Sequence, residues 1–357
     1  MKHLLTILLV SVISLNGVYA QVKSDKPEPY VDKGFDVWQF GSKTIGEDYT
    51  IYVIVPPGYD TAKTTSTVLY MTDGDWNMTV AMNCFNMLRQ DYDTTEPIIV
   101  GIGYGDRSNK RGRDLQPSEG GAKFITFIEK ELMPFVQSKY RTNGNNALYG
   151  YSLGGMLTTS VLFEHPGLFN MIFIGAPGNS GRELIPSAQK YFANHSDLNC
   201  RVFAGVGSYE HITAKNIGEF KAYMLKQNCK NLDIETAITP DAAHGAALAQ
   251  VMQNAMKFAY CKTHKEITLS AKDLEKYAGE YVAREDAKVK FKVYTVDDKL
   301  YANQGDDVPN RYVPYGGNHF FLYENERVDI VFNNENGKSY MLFIVPNEQP
   351  HRLDKVN

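Results

Sequence analysis

The chain has 357 residues, of which 43% are hydrophobic and 22% charged, with a formal net charge of -4. This composition excludes collagen-like, low-complexity and disordered chains. The absence of a basic excess speaks against a dedicated nucleic-acid binder, and the length suits about two domains.

The N-terminus reads first. Met1-Lys2-His3 precedes an apolar run from Leu4 to Leu15, followed by small residues up to Ala20-Gln21. A basic start, an apolar stretch too short to span a bilayer and a small-residue cleavage site make a secretory signal. Residues 1–20 are therefore expected to be a signal peptide, cleaved before Gln21 in a secreted or periplasmic protein without stable membrane insertion. In an oxidising compartment the four cysteines, Cys84, Cys200, Cys229 and Cys261, permit disulfides. Cys200 precedes a strand and Cys229 follows the next helix, which makes Cys200–Cys229 the best candidate pair.

Asp36 to Phe40 and Tyr49 to Val55 alternate apolar and polar residues, the pattern of two antiparallel strands. Continuous apolar runs follow at Thr67–Met71, Pro97–Ile102, Ala147–Gly150, Met171–Ile174 and Val202–Val206, as expected of strands buried on both faces. Helical patterns lie between them. Ser118 is placed to cap a helix whose face is Phe124, Ile128, Leu132 and Phe135, and 156–163 and 246–260 also read as helices. Strand–helix alternation predicts a mostly parallel sheet with helices on both faces. It stops near His264. From Lys265, after one short helix signal at Ala271–Tyr277, turn residues separate a series of short strands. The expected domains are 21–264, α/β, and 265–357, a small antiparallel β domain.

Chemistry concentrates at Gly150-Tyr151-Ser152-Leu153-Gly154-Gly155, a G-x-S-x-G pattern between a strand and a helix. That context fits a nucleophile elbow, with the Ser152 hydroxyl at the carboxyl end of the sheet. Serine needs a base, and this architecture orders the triad as Ser, acid, His. His244 lies between the last core strand (232–239) and the final helix; His211 is the runner-up. Glu210 is the first carboxylate after the strand ending at Gly207, with Asp241 as the alternative acid. The Leu153 N–H, at the helix start, and a backbone N–H of Gly74 or Asp75, after the first central strand, are the expected oxyanion donors. Trp76 is a candidate pocket wall. Arg107, Lys110, Arg111 and Arg113 follow another strand end, where Arg107 and Arg113 are candidates for recognising an acidic substrate; the alternative is a solvated loop with Arg113 bonded structurally. No His/Glu pair at metal spacing, phosphate-cradling loop or dinucleotide fingerprint is present, so no cofactor and no metal are expected.

These pieces resemble the esterase D family of α/β hydrolases. The resemblance is carried by Val55-Pro56-Pro57-Gly58-Tyr59, Leu69 to Asp75, Gly101-Ile102-Gly103, Arg113 to Pro117, Glu131 to Phe135, Gly150 to Gly155, Gly207 to Glu210 and Ala243-His244-Gly245. It implies an α/β-hydrolase core and ester hydrolysis by a serine nucleophile. Many members carry Asp as the acid, where this chain offers Glu210. The segment Leu274 to Tyr281 resembles a small β domain appended to exported bacterial hydrolases. The expected function is an exported serine carboxylic-ester hydrolase acting through an acyl-enzyme. Its expected substrates are small-molecule or glycan-linked: acetyl or feruloyl esters on polysaccharide, slightly ahead of siderophore esters. An acyltransferase of the same fold and a glycan-binding protein with a vestigial site are the alternatives.

Overall fold

Parallel strands buried on both faces must be covered by helices, and the computed structural model shows this arrangement. It describes residues 34–105, 107–346 and 348–356; the expected signal peptide lies outside the described residues. Phe35–Asn357 forms one compact unit.

Strands β1 (Asp36–Gly41) and β2 (Asp48–Ile54) form an antiparallel hairpin. Then come β3 (Ser66–Met71), α1 (Gly74–Asp91), the two-residue β4 (Asp93–Thr94), β5 (Ile98–Gly103) and α2 (Arg111–Asp114). Helices α3 (Glu119–Phe127) and α4 (Met133–Lys139) are joined by a π-helical turn, Ile128–Leu132. Next are β6 (Thr142–Tyr151), α5 (Leu153–Glu164), β7 (Met171–Gly175), α6 (Leu184–Phe192), β8 (Cys200–Gly207), α7 (His211–Lys226), β9 (Leu232–Thr239) and α8 (Leu248–Tyr260). The sheet order is β1-β2-β5-β3-β6-β7-β8-β9, parallel from β5 to β9. Two helix groups flank it: α1 packs with α8, and α6 packs with both α5 and α7. The mixed sheet with an antiparallel edge is the α/β-hydrolase arrangement expected from the sequence.

Two local expectations change. Ser118 occupies the N-cap position of α3, but its hydroxyl donates to Gln116 O instead of capping the helix. The α3–α4 stripe keeps Phe124, Ile128 and Leu132 buried, yet the helix widens to a π turn just before Pro134. Proline lacks an N–H and its ring crowds the carbonyl four residues back, and the wider turn fits that crowding.

All four cysteines are free thiols, which corrects the expected Cys200–Cys229 bridge. Cys200 is buried at the start of β8, with its sulfur against the carbonyls of Phe169 and Arg201. Burial pushes its thiol up to about 12.

Beyond α8, β10 (Cys261–Lys262) pairs with β4. Helix α9 (Ala271–Leu274), capped by the Ser270 hydroxyl, then leads into strands β11 (Gly279–Ala283), β12 (Lys290–Val296), β13 (Lys299–Gln304) and β14 (Asn310–Gly316). β15 (His319–Leu322), β16 (Asn325–Glu335), β17 (Lys338–Ile344) and β18 (His351–Val356) complete the chain. The eight strands close into an antiparallel barrel through the pairing of β11 with β18. Its interior is filled by Tyr281, Leu300, Tyr312, Phe320, Ile330 and Met341, so it is a packed core. β16 docks the barrel on α1: Asn325 Nδ2 donates to Gln90 O and Arg327 Nη1 to Arg89 O, satisfying carbonyls of the last helical turn.

Candidate active site

Ser152 leaves β6 with φ 61° and ψ -114°, immediately before α5. A non-glycine residue rarely adopts this conformation and persists there only when its surroundings enforce it. Here they do. Ser152 N donates to Gly175 O at 2.9 Å, and Ser152 O accepts from Met156 N at 3.2 Å and Gly178 N at 2.9 Å. Gly150 is required by close approach, because a Cβ there would lie 2.2 Å from Gly154 O.

Two loops at the same end of the sheet bring an imidazole and a carboxylate together. Ser208 N donates to Thr239 O at 2.8 Å and Tyr209 N to Ala242 O at 3.1 Å, so the loop after β8 is zipped to the loop after β9. Glu210 precedes α7, and its Oε1 lies 3.0 Å from His244 Nδ1. A proton on Nδ1 directed at this carboxylate leaves Nε2 as the basic nitrogen. The other carboxylate oxygen of Glu210, Oε2, is buried without a hydrogen-bond partner. Glu210 is mostly buried, with its side chain 21% exposed, whereas His244 faces solvent at 47%.

Tyr151 ties this pair to the elbow. Its ring centroid lies 5.2 Å from that of His244, and its hydroxyl donates to His244 O at 2.5 Å. Burial, with the Glu210 charge adding, pushes the Tyr151 hydroxyl well above its ordinary value, so it remains a donor. The sequence reading did not single out Tyr151; its x position in G-x-S-x-G was the available signal. No hydrogen bond joins Ser152 Oγ to His244 in the structure. In ligand-free sites such contacts are often long and tighten with substrate.

The expected oxyanion donors sit at two adjacent helix starts. β3 and β6 are parallel neighbours with Met71 opposite Tyr149, and Thr72 N donates to Tyr149 O at 3.1 Å. Leu153 opens α5, and Gly74 and Asp75 open α1. The first N–H groups of a helix have no acceptor within it and carry its positive dipole end. The Asp75 side chain is engaged elsewhere: it accepts from Tyr104 N, Gly105 N and Tyr52 OH at 2.8–2.9 Å.

The basic segment after β5 divides by role. Arg113 is bound to Asp114 and Glu47 and reaches Tyr49 OH. Asp114 is fully buried and also accepts from the Tyr49 and Tyr104 hydroxyls. This network holds Arg113 in a structural position. Arg107 donates to Gln39 Oε1, Thr50 Oγ1 and Tyr104 O. Arg111, named in the sequence only as part of the cluster, pairs in bidentate fashion with buried Asp73 and lies 5.8 Å from the exposed Trp76 ring. Trp76 is thus solvent-exposed beside Arg111. Tyr209 and Ile212, next to Glu210, are also exposed.

A cleft of about 290 Å³ runs between α5 and α6, lined by Met156, Pro177, Gly178 and Leu184 among others. It adjoins the elbow through Gly178. Among the described residues, no cluster of three His, Cys, Asp or Glu side chains could hold a metal ion.

A strained serine at a strand-to-helix turn, with a His–carboxylate pair on the neighbouring loops, defines an α/β hydrolase of the esterase class. Residues 42–218 match the family model described as "Putative esterase", and the chain is a carboxylic ester hydrolase similar to that family. The match includes Ser152 and Glu210 and ends before His244. The chain is 23% identical over 265 residues to the ferri-bacillibactin esterase BesA of Bacillus subtilis, covering 63% of this chain and 89% of the relative. It is 29% identical over 151 residues to a siderophore triacetylfusarinine C esterase of Aspergillus fumigatus, covering 37% and 52%. Among solved structures, the BES protein from Bacillus cereus superposes with a TM-score of 0.57 at 22% identity, over 66% of this chain and 98% of that one. These alignments share the hydrolase fold.

Proposed function

We propose that this esterase hydrolyses siderophore-type esters, with Ser152 as nucleophile, His244 as general base and Glu210 as the residue that orients and charge-stabilises the imidazole. The observation that carries the reading is the 3.0 Å contact between His244 Nδ1 and Glu210 Oε1 on loops zipped beside the strained Ser152 elbow. His244 takes the Ser152 proton as Oγ attacks the ester carbonyl. The tetrahedral oxyanion is met by the N–H groups of Leu153 and of the Gly74–Asp75 turn. His244 then protonates the departing alcohol, and water, deprotonated by the same imidazole, releases the acid from the acyl-enzyme.

The relatives' activity as siderophore esterases supports siderophore esters over the polysaccharide-linked esters that the sequence put slightly ahead. Trp76, Tyr209 and Ile212 supply an exposed aromatic and aliphatic rim that suits a large substrate with planar arms. Export of the enzyme is supported by the basic-apolar-small pattern of residues 1–20. The test is a substrate panel of siderophore triesters, acetylated xylan and feruloyl esters, with wild type and Ser152→Ala. The reading expects siderophore triesters to give the highest kcat/KM and Ser152→Ala to lose activity on every ester. A higher kcat/KM on polysaccharide esters would overturn the substrate assignment.

A further inference from the structure

The two acids that flank Gly74 both reach across to the segment after β5. Asp75, on one side, accepts the backbone N–H groups of Tyr104 and Gly105. Asp73, on the other, receives Arg111 Nε on Oδ1 at 2.8 Å and Nη2 on Oδ2 at 3.1 Å. The segment thus leaves the first turn of α1 at Tyr104 and returns to it at Arg111. Gly74 lies between the two attachments with its backbone pressed on β5; a Cβ there would come within 2.7 Å of Gly101 C.

Asp73 is only 3% exposed and adopts the left-handed conformation, φ 57° and ψ 42°. It occupies the N-cap position of α1, yet its carboxylate caps no helical N–H. A carboxylate there would ordinarily fold back on the helix. Here the carboxylate is turned to Arg111, so it does not cap the N–H groups of Gly74 and Asp75, while Trp76 N donates to Asp73 O at 3.3 Å. Asn77, fully buried, fixes the same turn from inside by donating Nδ2 to Thr72 O at 3.0 Å.

We infer that Arg111, through its bidentate pair with Asp73, is a positioning residue that holds the Gly74–Asp75 turn open to the developing oxyanion. The inference rests on the proposed role of that turn as an oxyanion donor. It assigns the basic cluster after β5 a task different from recognising an acidic substrate. Two parallel N–H···O bonds fix the carboxylate plane, which a lysine point charge does not do. The peptide units following Asp73 are oriented with it.

The test uses the full chain with p-nitrophenyl acetate, a small neutral ester that needs no cationic contact. Arg111→Gln and Asp73→Asn are expected to lower kcat by 10- to 100-fold with KM within twofold of wild type. Affinity for phenylboronic acid, which forms a tetrahedral adduct on an active-site serine, should fall by the same factor as kcat/KM. Arg111→Lys should give an intermediate loss, and guanidinium at millimolar concentration should restore part of the activity of Arg111→Ala. Thermal melts establish that each variant is folded; if Arg111→Gln does not fold, Arg111→Lys carries the test. A folded variant with kcat within twofold of wild type, or one that raises KM alone, overturns the inference. Ser152→Ala separates the two levels. If that variant is inactive while the Arg111 and Asp73 variants turn over normally, only the positioning role fails. If Ser152→Ala remains active, the reading beneath it fails.

Discussion

Replacing Glu210 by Gln keeps the shape of the side chain and removes its charge, so it isolates the electrostatic part of the His244 contact. Two unit charges 3.0 Å apart interact by about 332/(3.0 ε) kcal/mol. Glu210 is 21% exposed and His244 47% exposed, so the pair is partly screened by solvent. An effective dielectric of roughly 40–80 gives about 1.4–2.8 kcal/mol. At 1.36 kcal/mol per tenfold, this lowers kcat by about 10- to 100-fold. Loss of imidazole orientation adds to it, because a glutamine amide can donate as well as accept and stops selecting the Nδ1–H tautomer. The expected total is about 10²–10³-fold, below the roughly 10⁴-fold seen when a buried triad carboxylate is made an amide in another serine hydrolase. The assay is steady-state hydrolysis of p-nitrophenyl acetate across pH 5–9, with KM reported separately. A Glu210→Gln enzyme within threefold of wild-type kcat would refute the assignment. A comparable drop for Asp241→Asn would transfer the role to the alternative acid.

Tyr151→Phe deletes the hydrogen bond to His244 O and leaves that carbonyl short of a partner; a loss of about 1–3 kcal/mol in stability is expected, read from urea unfolding, together with a lower kcat. Thiol titration of the unfolded protein without reductant should find four free cysteines, and two would point to one disulfide. Glu131 accepts from Lys43 N, Thr44 N and the Thr44 hydroxyl. Burial opposes its ionisation, but the hydrogen bonds from Thr44, Ser42 and Lys43 hold the carboxyl below its ordinary value. A depressed folded-state value stabilises the protein above the unfolded carboxylate range near pH 4, and that stabilisation is lost as pH falls through the folded value. The stability deficit of Glu131→Gln should therefore be greatest near neutrality and shrink toward pH 3; a pH-independent deficit in chemical unfolding would contradict this.

The central sheet was legible because its strands are uninterrupted apolar runs between amphipathic helices, and β9 lies where the sequence placed it, at Leu232–Thr239. The Ser152, Glu210 and His244 positions could be read because each follows a strand end, where loop chemistry meets the carboxyl edge of the sheet. Barrel closure was not legible. The two strands that seal it, β11 and β18, carry little strand pattern in sequence. β18, His351-Arg352-Leu353-Asp354-Lys355-Val356, buries only Leu353, and β11 has five residues beginning with Gly279 at φ 146°. Their pairing depends on chain ends brought together by the six strands between them, which no local pattern encodes. Arg111 was hidden for a related reason. Four basic residues within seven positions look alike in sequence, and only the tertiary path separates Arg113 on Asp114 from Arg111 on Asp73.

The central claim is that Ser152 is the nucleophile of an ester hydrolase, and covalent labelling tests it most directly. A fluorophosphonate added to the native protein should modify a single residue, mapped by peptide mass spectrometry to Ser152, and esterase activity should fall in proportion to its occupancy. Labelling at another residue with the same loss of activity, or an unlabelled Ser152 in an inactivated enzyme, would contradict the account.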